Sequence, residues 1–135
     1  KKVDSGGRYR NNIGHRIIHN TQWVKDYKFI ITFENGSYPG YCTEKIGVGF
    51  KANTIPIYWG DSTVAMDYND KSFVNCHNYS NFNEAIQKII ELDNNDDMYK
   101  NMLLQPWFND NKIPYKLSDE YYVKQFNSLL DDIAN

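Results

Sequence analysis

The sequence has little of what would tie a chain to a special environment. It holds two cysteines, Cys42 and Cys76, in 135 residues. They make neither a metal motif nor a disulfide framework; one bridge is possible on count alone, but the pattern favours two free thiols in a reducing compartment. No run approaches the roughly 18 apolar residues of a spanning helix. Charge of either sign is not in excess: 15 Lys and Arg against 17 Asp and Glu give −2. That argues against a general nucleic-acid binder and leaves room for a local phosphate site. His15, His19 and His77 have no metal-ligand spacing, no Asp-x-Asp clamp is present, and no metal is expected. There is no internal repeat and no low-complexity tract.

What is present is a globular composition, 41% hydrophobic and 16% aromatic. The length suits one domain spanning 1–135, and folding at this size removes roughly two-thirds of the unfolded chain's surface. The opening "KKVDSGG" has no methionine and reads like the end of a strand cut from something longer, so a fragment is expected.

After a Gly/Asn-rich loop, Ile17, Ile18, Trp23 and Val24 form an amphipathic patch suited to a short helix. "YKFIITFE" reads as a buried strand, "TIPIYWG" as a second and "SFVNC" as a third. Residues 43–52 read as a helix with Thr43 as N-cap and Ile46, Phe50 and Ala52 as apolar contacts, although Gly47 and Gly49 weaken it. "NFNEAIQKIIEL" is the clearest helix: Asn81 and Glu84 have capping-box spacing, and Phe82, Ala85, Ile86, Ile89 and Ile90 share a face. Asp96 and Asp97 open another helix, which Pro106 ends near Gln105. A last helix runs from about Asp119 to Ile133. Strands alternating with helices imply a Rossmann-like α/β fold, a parallel sheet with helices on both faces. Tyr27, Phe29, Phe33, Trp59 and Phe73 read as core.

Such a sheet binds ligands beyond the carboxyl ends of its strands, where "ENGSYPGYCTEK" lies. A helix starting near Thr43 offers free N–H groups to an anion, and Lys45 adds a full positive charge. Glu44 would repel a phosphate but can accept two hydrogen bonds from a ribose diol. Asn35 can donate and accept, and Gly36 and Gly40 let the backbone approach a ligand closely. This describes a nucleotide-diphosphate site. The plainer alternative is a solvated helix start in a non-catalytic α/β interaction domain. A β-hairpin at Asn35-Gly36 is disfavoured by Pro39 and Gly40, which interrupt any returning strand.

"YKFIITFENGSYPGYCTEKI", "NTIPIYWGDSTVAMDYNDKSFVNCHNY" and "NFNEAIQKIIELD" together resemble the α-1,3/4-fucosyltransferases of glycosyltransferase family 10, in their bacterial form. The family's run is matched by Phe33-Glu34-Asn35, Tyr41, Thr43, Glu44 and Lys45, followed in order by Pro56, Gly60 and Ser72-Phe73. The resemblance covers about residues 26–105, with weaker support upstream. It implies the C-terminal, GDP-fucose-binding half of a two-domain GT-B enzyme that needs no metal cofactor. Glu44 would hold the ribose hydroxyls and Lys45 the diphosphate, stabilising the leaving group. Asn35 and Tyr41 would complete the contacts. The reaction would be inverting transfer of fucose from GDP-β-L-fucose to a GlcNAc or Glc hydroxyl of a β-galactoside acceptor. That acceptor would be held by the missing N-terminal domain, which also supplies a glutamate base.

The chain departs from the family at Cys42, in place of valine or isoleucine, and at "GVGF" after Ile46. The family's diphosphate-contacting arginine falls upstream of Lys1, and nothing makes Arg8 its substitute. A transferase with a different nucleotide-sugar donor stays open. The setting expected is cytoplasmic, with a membrane-peripheral full-length protein left open. Alone, the chain is expected to bind GDP weakly and transfer no fucose. Its last helix, with Tyr122, Phe126, Leu129 and Leu130 on one side, would fold back, self-associate or stay exposed.

Overall fold

The computed structural model describes residues 2–18 and 20–134; His19 lies outside the described residues. Three strands, β1 (Phe29–Ile31), β2 (Ile55–Tyr58) and β3 (Val74–Asn75), form one parallel sheet in the order β1-β2-β3. Phe29 lies opposite Ile55, and Ile57 opposite Val74. The central strand is buried along its whole length, so "IPIY" shows no polar alternation.

Alternation along β2 divides the core in two. Ile55 and Ile57, with Val74 and Cys76, pack against Ala85 and Leu92 of α3 (Phe82–Asn94), with Tyr99, Met102 and Leu103 of α4 (Asp96–Leu103) closing the layer. Tyr58 and Phe73 face the other way, against Ile46 and Phe50 of α2 (Lys45–Lys51) and against Val64. Helices therefore cover both faces, as the strand–helix alternation implies. α1 (Asn20–Val24) contributes Val24 to the core, and Thr54 Oγ1 donates to the Val24 carbonyl at 3.0 Å.

Several boundaries differ from expectation for local reasons. β1 is three residues long, yet pairing continues past it. The Thr32 N–H donates to the Ile57 carbonyl at 2.9 Å and the Glu34 N–H to the Trp59 carbonyl at 2.8 Å. β3 is cut to two residues because Asn75 turns its side chain back to accept the His77 N–H at 3.1 Å. On α3, Asn81 caps as expected, accepting from the Asn83 and Glu84 N–H groups, while Glu84 reaches back one residue further, to the Ser80 N–H. Its inward row is Ala85, Ile89 and Leu92; Phe82, Ile86 and Ile90 stay about half exposed. α4 stops at Leu103, two residues before the expected end, its last carbonyls taken up by the Leu104 and Gln105 N–H groups.

The last helix, α5 (Asp119–Ala134), leans on the turn Tyr115–Leu117 through a Tyr115–Tyr121 ring contact at 5.5 Å. Its apolar side, Tyr122, Val123, Phe126, Leu129, Leu130 and Ile133, stands in solvent. Within this chain the helix leaves that side uncovered instead of folding it back onto the sheet.

The glycines of α2 have different reasons. A Cβ on Gly49 would lie 2.8 Å from Pro56 Cγ and 2.9 Å from Ile30 Cγ2, so its absence lets the helix press onto β1 and β2. A Cβ on Gly47 meets nothing. Gly49→Ala is therefore expected to destabilise the fold by about 1–3 kcal/mol through overpacking. Gly47→Ala should stabilise it by about 0.4–1 kcal/mol. Urea denaturation of both variants checks this, and equal shifts would contradict the packing.

Candidate functional site

The carboxyl ends of the three strands meet along one edge of the sheet. Phe33-Glu34-Asn35 leaves β1, Trp59-Gly60-Asp61 leaves β2, and the turn Cys76–Asn78 follows β3. Residues 36–43 cross this edge before α2 begins.

Two buried carboxylates hold that crossing in place. Glu34 is 5% exposed. Its Oε1 accepts the Thr43 N–H at 2.8 Å, and the Thr43 hydroxyl lies 2.8 and 3.0 Å from its two oxygens. Lys45 Nζ completes the set, 3.2 Å from Glu34 Oε2. Asp61 is 3% exposed. It accepts the Gly40 N–H, the Thr63 N–H and the Thr63 hydroxyl on Oδ1, each at 2.7 Å. Gly40 sits at φ +79°, where a side chain would strain the backbone. A Cβ at Gly60 would collide with Glu34 Cγ, so the bare backbone there is what admits the carboxylate.

This arrangement corrects the expected helix start. Thr43 does not cap α2; its hydroxyl and its N–H are committed to Glu34. Glu44 occupies the N-cap position with helical backbone angles and no side-chain capping bond. Thr43 and Lys45 both turn onto Glu34, and Glu44 between them is exposed. Among the described residues, none donates a hydrogen bond to its carboxylate.

Lys45 is about a third exposed, 32% by side chain. Besides Glu34, Nζ donates to the Phe33 carbonyl at 3.0 Å and to Asn35 Oδ1 at 3.3 Å. An ammonium carries three N–H donors, so the set is full, and an incoming anion must displace a partner. Asn35, exposed and the longest contact, is the one placed to yield. Tyr41 lies on the rim, 38% exposed, its ring edge-on to Tyr38 at 6.4 Å, while its carbonyl accepts the buried Tyr58 hydroxyl at 3.4 Å. Asn35 and Lys45 are thus in direct contact, and Tyr41 and Glu44 share the same loop-to-helix passage.

Within the loop, burial pushes the Cys42 thiol up, and burial likewise pushes the Tyr68 hydroxyl to about 12. Both cysteines are free, and burial pushes Cys76 up to about 11, which leaves it an unreactive thiol. Of the aromatics expected in the core, Phe73 is buried, while Tyr27, Phe29, Phe33 and Trp59 are half-buried. Trp59 stacks on His77 at 6.2 Å and Phe33 on Phe82 at 5.7 Å, tiling the same edge. His77 Nε2 sits 3.2–3.3 Å from the backbone of Gly60. Glu34 and Asp61 were not singled out as site residues. The available signal was a carboxylate closing an apolar strand, because a charge in that position must find partners once buried.

The model of the family "Glycosyltransferase family 10 (fucosyltransferase) C-term" matches residues 2–130. An alpha-(1,3)-fucosyltransferase of Helicobacter pylori is 44% identical over 103 residues, covering 76% of this chain and 22% of that protein. A crystal structure of an alpha1,3-fucosyltransferase with GDP superposes with a TM-score of 0.88 at 39% identity, over 96% of this chain and 39% of that one. The corresponding structure with GDP-fucose gives 0.87, over 95% and 39%. The chain therefore spans about a fifth of the curated relative and about two-fifths of the solved one.

Asp61→Ala removes the charged acceptor that holds the Gly40 N–H. The variant should lose roughly 1.5–3 kcal/mol of stability. In native-state hydrogen exchange the Gly40 amide, left with the longer 3.2 Å contact to Thr63 Oγ1, should lose most of its protection while the β2 amides keep theirs. Unchanged protection at Gly40 would show that Asp61 does not hold the loop.

Proposed function

The chain belongs to glycosyltransferase family 10, the fucosyltransferases, and from that premise we propose that its strand edge is the GDP-fucose site of an inverting α-1,3/4-fucosyltransferase. The observation that carries the reading is Lys45, an ammonium fixed at the carboxyl edge beside Asn35 and open to solvent on one side. The likeness to an alpha1,3-fucosyltransferase solved with GDP-fucose supports it.

In this reading Lys45 exchanges its bond to Asn35 for a diphosphate oxygen. The freed Asn35 amide and Tyr41 then line the sugar. Glu44, exposed and with no donor to its carboxylate among the described residues, accepts the two ribose hydroxyls. As the glycosidic bond to GDP breaks, negative charge grows on the departing diphosphate. A preplaced cation at that point stabilises the transition state more than the bound donor. The work rests on Lys45, not on a metal and not on the short α2. The acceptor is a β-galactoside whose GlcNAc or Glc hydroxyl is deprotonated by a base outside this chain, in an N-terminal domain. The apolar side of α5 is available for self-association in the isolated domain.

Three ligands separate the readings. Calorimetric titration of the chain should show binding of GDP and none of UDP or ADP. A different base preference would change the donor, and no binding at all would favour an interaction domain.

In the full-length enzyme, Lys45→Ala should lower kcat/KM about 10- to 100-fold, the loss of a charge-assisted contact. GDP affinity should fall no further than that. A folded variant with unchanged kcat/KM would remove Lys45 from the site. Glu44→Gln should lose most of the preference for GDP over its 2′,3′-dideoxy analogue. Discrimination as strong as before would overturn the ribose assignment.

A further inference from the structure

Glu34 is a buried titratable group that the proposed chemistry leaves unused. Its side chain has no solvent exposure, and it stands directly behind the cation assigned to the diphosphate. A buried carboxylate persists only where charge and hydrogen bonds compensate it. Here the compensation comes from the two residues that flank Glu44: the Thr43 N–H and hydroxyl on one side and the Lys45 ammonium on the other. Tyr58, whose hydroxyl receives the Asp61 N–H, and the bare Gly60 backbone close the space behind it.

The geometry points to Glu34 as the positioning residue of the site, one that acts through Lys45 without touching the donor. It draws Thr43 and Lys45 onto the end of β1, which fixes where the ammonium stands and leaves Glu44 outward. It also sets a negative charge 3.2 Å from the cation, offsetting part of its pull on an anion. The two effects oppose each other. Holding Lys45 favours catalysis, which needs a fixed cation, and the offset weakens ground-state attraction for GDP. Glu34 thus trades affinity for placement. This inference rests on the donor-site reading above.

Glu34→Gln separates the two effects. The amide oxygen still accepts from Thr43, but an amide NH2 faces Lys45, so the ammonium keeps the Phe33 carbonyl and loses its charged anchor and counter-charge. In the full-length enzyme, kcat should fall about tenfold or more, the loss of a charge-assisted contact. GDP should meanwhile bind as well as before or more tightly. A part that is only structural would weaken both together, and that result would overturn the inference. In a Lys45→Ala background, Glu34→Gln should change kcat/KM less than about twofold. Multiplying effects would show that Glu34 does not work through Lys45.

Thermal unfolding of the chain tests the pair without any assay of transfer. Lys45→Ala strands the Glu34 charge and should lower Tm. Adding Glu34→Gln should restore most of that loss, because the stranded charge is gone. Should Glu34→Gln not fold, Lys45→Arg replaces it: it should melt near the wild type and well above Lys45→Ala. A Lys45→Ala chain that melts like the wild type would refute the buried pair. If the melts behave as expected and GDP does not bind, the donor reading fails while the pairing stands.

Discussion

The site depends on one buried carboxylate. Glu34 closes β1 with no exposed side-chain surface and draws the backbone of Thr43, its hydroxyl and the Lys45 ammonium to a single point. Leaving such a charge uncompensated in the interior would cost several kcal/mol, so the loop between residues 36 and 43 must return to the sheet edge it left. The start of α2 follows from this. With Thr43 committed to Glu34, the helix begins at Lys45 without a side-chain cap. The weak start is compensated by packing: Gly49 lets the helix settle against Ile30 and Pro56, and Ile46 and Phe50 are buried.

Asp61 repeats the device one strand over. It takes the Gly40 N–H at 2.7 Å, so the same loop is held by carboxylates at the ends of both β1 and β2. A glycine-containing loop would otherwise carry a large conformational entropy, and two charged acceptors reduce it before any ligand arrives. Preorganisation of this kind suits the donor site proposed above, where fixed groups would face a growing charge. The exposed side chains of Asn35, Tyr41 and Glu44 then sit on a backbone that is already placed.

The rest of the chain is organised around the same edge. α3 and α4 cover one face of the sheet, and α2 with the turn Val64–Met66 covers the other. The strand ends carry the half-buried Phe33 and Trp59, packed on Phe82 and His77. α5 rests on the turn Tyr115–Leu117 and shows its apolar side to solvent.

Much of this was legible in the residues themselves. The unbroken apolar run "IPIY" gave a strand buried on both faces, and Asn81 with Glu84 gave the start of α3, because these signals are local in the chain. The run from Phe33 to Lys45, read by resemblance, placed Asn35, Tyr41, Glu44 and Lys45 in one passage. The partnerships were decided only by the tertiary structure. Adjacent in sequence, Glu44 and Lys45 look like a charge pair, yet the carboxylate that holds Lys45 is Glu34. Thr43 has the chemistry of an N-cap and is spent on the same distant residue. Ile86 and Ile90 belong to the apolar face of α3, yet they stay half exposed while Ala85, Ile89 and Leu92 face the sheet. Sequence determines which residues can form a helix, a strand or an ion. Which ion meets which is set by the crossing of loop and strand, because electrostatic attraction acts through space and is indifferent to order along the chain.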